Sequence, residues 1–262
     1  MTSNHLDNSP VEMANGTPKA AYRRIILKLS GEALADANGF GIDPDRAADI
    51  AAKIKEIHDL NVQIAVVIGA GNLWRGVIGT EHGMEQSTAD YMGMIATVMN
   101  ALALQDALEK AGVQTRVMTA IQMHEVAEPY IRRRAIRHME KGRVVILAAG
   151  TGNPYFTTDT AAALRALELD VDILLMAKNR VDGIYSEDPR LNLDARRYLQ
   201  VSHQEAIERD LKVMDAAALA LLRENNLPIL VFNMSAEGAI ENAVSGAAPV
   251  GTMVTSGASV LE

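Results

Sequence analysis

Short apolar runs alternate with longer helical patterns along most of this chain. The runs are apolar on both faces, so each is expected to form a β-strand buried on both sides. Strands of this kind, when helical stretches separate them, are typical of a parallel sheet covered by helices. The predicted strands, some of which end in glycines, occupy residues 24–30, 62–72, 113–120, 143–150, 171–177 and 227–234.

Residues 43–61 carry a clear helical pattern. Asp43 is a typical N-cap residue, and Pro44 fits the first helical position. One face of this predicted helix collects the isoleucines at positions 50, 54 and 57. The segment is therefore expected to pack that face against the sheet.

A longer helical pattern covers residues 87–110 and closes before Gly112, which suits a helix end. Strands and helices together predict an α/β protein, a three-layer α/β/α sandwich with a mainly parallel central sheet. No internal repeat is present, and residues 22–262 are expected to form a single domain. Residues 1–21 are polar and rich in Asn, Ser and Pro, so they are expected to be a disordered extension.

The composition is that of an ordinary globular protein, with 262 residues, 48% hydrophobic and 22% charged. The net charge of −8 argues against nucleic-acid binding, which needs a basic face. There is no cysteine, and the N-terminus lacks the basic and apolar regions of a secretory signal. No apolar run approaches membrane-spanning length. The cytoplasm is the expected location, with no membrane partner.

Ligands of open parallel sheets bind beyond the carboxyl ends of the strands, so a ligand site is expected at the strand ends. Lys28 lies inside an apolar strand just before Ser30 and Gly31. A lysine at that position either reaches solvent at an edge or points into a site. Gly31 allows a close approach of the backbone, which favours a site.

The strand at residues 62–72 ends in the glycine-rich turn VVIGAGNLWRG. Glycine-rich turns of this kind bind phosphates through bare N–H groups, although a tight strand-to-helix turn explains the pattern equally well. The spacing does not match the dinucleotide-binding fingerprint. Arg75 adds a planar, bidentate donor.

The strand at residues 143–150 leads into the polar segment GTGNPYFTTDTAA. One of Thr157, Thr158 and Asp159 is expected to cap the alanine-rich helix that follows. Hydroxyls and N–H groups at a helix N-terminus can bind an anion although this segment itself contains no lysine. The positive charge that balances the anion is expected from other strand ends, namely from Lys28 and Arg75. Asp159 either caps the helix or orients a cation, such as a lysine or magnesium.

Residues 178–200 form a polar segment that is long for a plain connection, and such loops are usually functional or mobile. Lys178 stands at the preceding strand end, and Tyr185 is flanked by carboxylates, an arrangement that suits a nucleobase and ribose. Asp-Gly and Asp-Pro pairs in the segment are turn formers first. The six histidines show no metal-ligand spacing, so no protein metal site is predicted. The basic run at 130–138 is expected to be a solvated helix face or to face a partner subunit. The methionines after Asp90 are expected to lie in the core or in a subunit contact.

The motifs in this order resemble those of the bacterial uridylate kinases in the amino-acid-kinase family. The resemblance runs from Tyr22 to Thr255. TGNPYFTTD together with DYMGM points to the uridylate branch rather than to acetylglutamate, aspartate or carbamate kinases. The segments that carry the resemblance are ILKLSGEAL, GFGID, VVIGAGNLWRG, DYMGMIATVMNALAL, AGTGNPYFTTDTAA, VDGIYSEDP, LKVMDAAA and PILVFN.

The resemblance implies transfer of the ATP γ-phosphate to UMP, giving UDP, with Mg²⁺ accompanying ATP. It also implies a homohexamer that GTP activates and UTP inhibits. The implied ATP site comprises Lys28, Leu29, Ser30, Gly31, Gly71, Arg75, Asn179, Tyr185 and Asp188. The implied UMP site comprises Ala70, Asp90, Thr151, Gly152, Asn153, Pro154, Tyr155, Phe156, Thr157 and Thr158. The implied GTP-responsive loop comprises Asp36, Ala37, Asn38, Gly39, Phe40 and Gly41.

The sequence departs from the family pattern at two places. Ala70 stands where a glycine is common, which reduces the room near the UMP phosphate but keeps the backbone N–H. The extension before Tyr22 has no counterpart in the family pattern.

A phosphate acceptor removes the need for a general base, because its second pKa is about 6 and it is already an anion at neutral pH. The expected catalytic residues are therefore charge-stabilising ones, namely Lys28, Arg75 and Asp159. Two alternatives stay open at this point. One is a kinase of the same fold that phosphorylates a carboxylate or carbamate. The other is a nucleotide- or oxyanion-binding protein without turnover.

Overall fold

A ten-stranded sheet runs through the computed structural model, which describes residues 20–178, 181–189, 191–192 and 194–262. Most of the predicted extension, residues 1–21, therefore lies outside the described residues. The strands are β1 Arg24–Leu29, β2 Gln63–Ile68, β3 Thr115–Thr119, β4 Glu128–Pro129, β5 Val144–Ala148, β6 Ile173–Lys178, β7 Tyr198–Ser202, β8 Ile229–Asn233, β9 Thr252–Thr255 and β10 Val260–Leu261.

The strand order is β10-β7-β9-β8-β6-β1-β2-β5-β3-β4. Neighbouring strands run parallel except at the β8–β9 and β7–β10 pairs, so the prediction of a mainly parallel sheet is confirmed. The six predicted strands all form. They occupy the consecutive positions from β8 to β3. The four that sequence reasoning missed lie at the two ends of the sheet, and none of them contains more than two consecutive apolar residues to reveal it.

Eight helices and one 3-10 turn connect the strands in the described part of the chain. The 3-10 turn is Gly31–Leu34. The helices are α1 Pro44–Asp59, α2 Gly76–Glu81, α3 Gln86–Lys110, α4 Arg132–Glu140, α5 Thr158–Glu168, α6 His203–Glu208, α7 Ala216–Glu224 and α8 Ala239–Ser245.

The predicted helix signals are confirmed at the residue level. The Asp43 side chain caps α1 by accepting from the Asp45 N–H at 2.9 Å, and Pro44 is the first helical residue. Gly112, two residues after the end of α3, is left-handed with φ +87°. The N–H of Gly112 donates to the Glu109 carbonyl and that of Val113 to the Leu108 carbonyl, so two of the last carbonyls of α3 are satisfied.

Two hydrophobic cores lie on opposite faces of the sheet. Ile25, Leu27 and Leu29 face the layer that contains α1, α3 and α8, whereas Ile26 faces the layer that contains α4 to α7. Alternation along β1 therefore divides its side chains between two helical layers. The prediction of a three-layer α/β/α sandwich is confirmed.

Candidate active site

Four neighbouring strands deliver the candidate residues to one edge of the sheet. The strands β6, β1, β2 and β5 are adjacent and parallel, so their carboxyl ends meet at this edge. Strand β6 ends at Lys178, and β1 leads into the turn at Ser30 and Gly31. Strand β2 leads into the glycine turn 69–71, and β5 leads into the segment 149–157. These are the segments in which the sequence predicts ligand contacts.

Lys28 and Asp159 form an ion pair at this edge. Lys28 lies in β1 opposite Val67 and Met176, and its Nζ is 2.8 Å from Asp159 Oδ1. The two side chains are 17% and 22% exposed. Because Lys28 shares the face of Ile26, it points toward the helical layer of α5, where Asp159 occupies the first turn.

Lys178 adds a second cation beside this pair. Burial lowers the pKa of the Lys178 ammonium, the Asp159 carboxylate opposes the shift, and the charge of Lys28 adds to it. The Nζ atom donates to the Lys212 carbonyl at 2.7 Å. Two lysines therefore share one carboxylate, which leaves a local excess of positive charge suited to an anion.

Gly31 joins the turn after β1 to the turn after β2. A Cβ added at Gly31 would lie 2.4 Å from Asn72 Oδ1 and 2.5 Å from the Gly69 carbonyl oxygen. Such distances are shorter than real Cβ contacts, so only glycine fits. The two turns are in direct contact because position 31 carries no side chain.

The segment 149–157 has an unusual backbone. Ala149, Gly150, Gly152 and Tyr155 all have positive φ, with Tyr155 at +70°. A bulky residue in this region is uncommon and costs about 1–3 kcal/mol, a cost that is concentrated at functional sites. The Tyr155 side chain is 75% exposed. The backbone of this segment is therefore strained, and the side chains of Tyr155 and Phe156 are exposed to solvent.

Thr157 is the N-cap of α5, so the prediction that one of residues 157–159 caps this helix is confirmed. Its hydroxyl accepts from the N–H groups of Asp159 and Thr160 at 3.1 and 3.2 Å. The same hydroxyl and that of Thr160 donate to Asp215, the N-cap residue of α7. Sequence reasoning assigned no role to Asp215, although an aspartate before an alanine-rich run is an N-cap signal.

Asp90 is brought to the segment 149–157 by helix α3. Its Oδ2 accepts from the Tyr155 N–H at 2.8 Å, and its Oδ1 accepts from Gln86 at 2.8 Å. The hydrogen bond to Tyr155 links a helix on one side of the sheet to the loop at the strand ends. Two separate parts of the implied UMP site therefore lie together.

Arg75 lies apart from the lysine pair. Its guanidinium NH2 is 2.5 Å from Glu32 Oε1, and its Nε donates to the Gly71 carbonyl at 3.3 Å. No hydrogen bond or ion pair among the described residues joins it to Lys28 or Asp159. Arg75 lines a cavity of about 690 Å³ together with the α1 residues Asp49 and Lys53.

The loop 36–41 borders the same cavity. The Asp36 carboxylate accepts from the N–H groups of Phe40 and Asn38 at 3.1 and 2.9 Å, and these bonds lower the pKa of Asp36. Gly39 and Gly41 adopt positive φ. The loop is therefore folded on its own carboxylate, and Phe40 is exposed at its tip.

The segment 178–200 contributes Tyr185 and Asp188. The Tyr185 hydroxyl donates to Asp182 at 3.0 Å, and burial together with this carboxylate raises the pKa of Tyr185. The Asp188 carbonyl accepts from Leu191 and Asn192 at 3.0 and 2.9 Å. Asn179, also assigned to the implied ATP site, lies outside the described residues.

Within the described ranges, no three histidine, aspartate or glutamate side chains converge to hold a metal ion. Over the same residues, none of the helices combines the length and apolar character needed to cross a membrane.

The fold and the site define a class of α/β protein with a mainly parallel sheet and charged side chains at the carboxyl ends of its strands, where ligands of such sheets bind. The model of the amino acid kinase family matches residues 23–233. The chain is also 57% identical over 233 residues to a uridylate kinase of Limosilactobacillus reuteri, an alignment that covers 89% of this chain and 97% of that protein. The chain therefore belongs to the amino acid kinase family, in its uridylate kinase branch.

Solved structures agree with this assignment, which confirms the resemblance found in the sequence. The UMP kinase of Bacillus anthracis is 40% identical with a TM-score of 0.89, covering 92% of this chain and 99% of that one. The UMP kinase of Ureaplasma parvum is 41% identical with a TM-score of 0.84, covering 89% and 98%.

Proposed function

We propose that this chain is a UMP kinase that transfers the γ-phosphoryl group of ATP to UMP, giving UDP and ADP. The observation that supports it best is the Lys28–Asp159 pair, which lies at the strand ends beside Lys178. Membership of the uridylate kinase branch supports the choice of substrates.

The transfer is a direct in-line displacement. An oxygen of the UMP phosphate forms a bond to the γ-phosphorus while the bond from that phosphorus to the β,γ-bridging oxygen breaks, and ADP leaves. No general base is needed, because the acceptor phosphate is already an anion near pH 7, its second pKa being about 6. No covalent intermediate on the protein is required.

Lys28 acts by neutralising charge on the transferring phosphoryl group. Asp159 orients the Lys28 ammonium at 2.8 Å, so that the positive charge is in place before ATP binds. Lys178 supplies a second positive charge at the same edge. Its lowered pKa indicates that an arriving anion would relieve the unfavourable burial of this ammonium.

Magnesium bound with ATP needs one or two protein carboxylates besides phosphate oxygens and waters. The carboxylate of Asp159, 22% exposed beside Lys28, fits that demand. When it is bound, the ion would neutralise part of the phosphate charge. Asp159 is the residue of this chain that would hold it.

The remaining ATP contacts follow the same edge. Leu29 to Gly31 and Gly71 offer backbone N–H groups to the phosphates, and Tyr185 and Asp188 line the adenine nucleoside. Arg75 positions phosphate from the cavity side. Glu32 holds the guanidinium through one nitrogen at 2.5 Å, so the other N–H donors of Arg75 would contact the phosphate.

UMP binds on the side of α3. Asp90 accepts from the ribose, the Ala70 N–H contacts the phosphate, and the segment 151–158 surrounds phosphate and uracil. The hydrogen bond from Tyr155 to Asp90 supports this arrangement, because it already joins the two parts of the pocket at 2.8 Å.

The homohexamer is supported by an apolar stripe on the outer face of α3. Tyr91, Ile95, Met99 and Leu102 are spaced along one helix face and are 36–52% exposed. A stripe of this kind marks a protein–protein contact. Activation by GTP through the loop 36–41, inhibition by UTP and a cytoplasmic location belong to the same proposal, as does a single domain over residues 22–262, which the continuous sheet supports.

An ADP-release assay with Mg-ATP tests this function. UMP, CMP, dUMP and N-acetylglutamate are offered separately, each with and without GTP. Turnover with UMP alone is expected. Turnover with N-acetylglutamate instead would indicate an acyl kinase, and binding of UMP without any turnover would indicate a nucleotide-binding protein.

A further inference from the structure

Two buried asparagines form a reciprocal amide pair beneath the candidate site. Asn72, which follows the glycine turn 69–71, and Asn100 of α3 are 1% and 0% exposed. The Asn72 Nδ2 donates to Asn100 Oδ1 at 3.0 Å, and the Asn100 Nδ2 donates to Asn72 Oδ1 at 2.8 Å. Neither residue has a place in the transfer chemistry described above.

Each amide also uses its second hydrogen on the backbone of a different loop. Asn100 Nδ2 donates to the Gly69 carbonyl at 2.8 Å, and Asn72 Nδ2 donates to the Gly41 carbonyl at 2.7 Å. In return, the Gly41 N–H donates to the Asn72 carbonyl at 3.0 Å. Flipping either amide would turn an oxygen toward a carbonyl oxygen, so the network fixes both orientations.

The pair also lies against Gly31, in the turn that follows β1. Asn72 Oδ1 and the Gly69 carbonyl occupy the space that a side chain at Gly31 would fill. Three backbone segments therefore meet on one amide pair: the turn at Gly31, the turn at Gly69, and the end of the loop 36–41.

The surroundings indicate that the amides serve geometry rather than packing. Val98, Ala101 and Leu104 of α3 pack into the apolar core on either side of Asn100. An apolar residue at position 100 would fill that space but leave the buried Gly69 carbonyl unpaired, at a cost of about 1–3 kcal/mol. Ala70 and Gly71, whose N–H groups contact phosphates in the proposed function, follow Gly69 directly.

We propose that Asn100, acting together with Asn72, is a positioning residue that holds the phosphate-binding turn 69–71 in its active geometry. The inference rests on the proposed function, because it assigns the turn to phosphate binding. A shift of about 1 Å in such a turn can reduce activity 100-fold.

The test compares two variants of Asn100 with a matched control. Asn100→Asp keeps the side-chain shape but cannot offer both hydrogens, and Asn100→Ser is uncharged and smaller. Thr115→Val is the control: Thr115 is fully buried, its hydroxyl donates to the Val113 carbonyl at 3.1 Å, and it lies at the opposite end of the sheet. Circular dichroism gives Tm, and initial rates give kcat and both KM values.

All three variants are expected to lower Tm, whereas only the Asn100 variants lower kcat/KM, by about 10-fold to 100-fold for both nucleotides. A kcat/KM within twofold of the control would overturn the proposal. So would failure of both Asn100 variants to fold at 25 °C, because the pair would then serve folding alone.

Failure of the proposed function is seen separately, in the wild-type chain. If the wild type releases no ADP with UMP, calorimetric titration with Mg-ATP and with UMP replaces the rate assay. Weaker binding by the Asn100 variants than by Thr115→Val would support the positioning role, and equal binding would overturn it.

Discussion

The Nζ atom of Lys28 lies 2.8 Å from Oδ1 of Asp159, so a strand residue and a helix residue form one charged unit at the sheet edge. Both side chains are partly accessible, which allows a ligand to reach the ammonium while the carboxylate holds it. A preorganised donor of this kind stabilises developing charge without reorganisation during the reaction.

Lys28→Met is expected to lower kcat by about 10²–10³. Methionine keeps the apolar stem of the side chain in β1, so the fold should survive, and circular dichroism would verify this. Lys55→Met is the matched control, since Lys55 forms an exposed pair with Asp59 at 2.5 Å on α1. Turnover of Lys28→Met at the level of the control would remove Lys28 from the mechanism.

Asp90→Asn is expected to raise the KM for UMP about 10-fold with little change in kcat, because a charged acceptor becomes a neutral one. KM for ATP serves as an internal reference and should stay constant. Asp106→Asn, an exposed change on the same helix, controls for general effects. An unchanged KM for UMP would show that Asp90 does not contact this substrate.

Gly31→Ala is expected to be destabilising and to abolish most activity, because its Cβ would lie 2.5 Å from the Gly69 carbonyl oxygen and the backbone would have to shift. Gly93→Ala on α3 provides the opposite case. Its Cβ would meet only Trp74 at 3.7 Å, and alanine is favoured over glycine inside a helix by about 1 kcal/mol. Chemical denaturation distinguishes the two, and equal stability would contradict the steric argument.

If the proposed homohexamer forms through the exposed apolar stripe of α3, Ile95→Glu is expected to give smaller species, because it places a charge in that stripe. Light scattering at fixed protein concentration measures the change. Lys110→Glu alters charge on the same helix outside the stripe, and this variant should keep the wild-type mass. If Ile95→Glu also keeps that mass, the stripe is not the subunit contact.

His203 is expected to make stability depend on pH. Burial lowers the pKa of this imidazole, and the hydrogen bond to the Leu227 carbonyl at 3.0 Å offsets only part of the effect. The unfolded state therefore binds more protons than the folded state below about pH 6.5, so stability falls as the pH falls through that range.

Urea denaturation between pH 5 and pH 8 measures this dependence. His203→Gln does not titrate and should flatten the slope by at most about 1.4 kcal/mol per pH unit. An identical slope in the His203 variant would assign the pH dependence to other groups.

The sequence by itself determined the local elements and the class of fold. Apolar runs gave the strands from β8 to β3 because buried strands need side chains that are apolar on both faces. Local chemistry also fixed element ends, as with Asp43 at the start of α1 and Gly112 at the end of α3. Motif order was sufficient to identify the family.

Only the tertiary structure decided which side chains meet. The order of strands places β1 between β2 and β6, and alternation along β1 turns Lys28 toward Asp159 rather than toward Arg75. The sequence analysis predicts that Lys28 and Arg75 together supply the positive charge of the anion site. In the structure, Arg75 instead forms an ion pair with Glu32.

The Asn72–Asn100 pair and the hydrogen bonds from Thr157 and Thr160 to Asp215 are further contacts that no local pattern shows. Hydrophobic periodicity records whether a position faces the core, because burial depends on one residue and its immediate neighbours. A hydrogen bond between distant segments depends on the packing of whole elements, so it exists only once the sheet and its two helical layers have assembled.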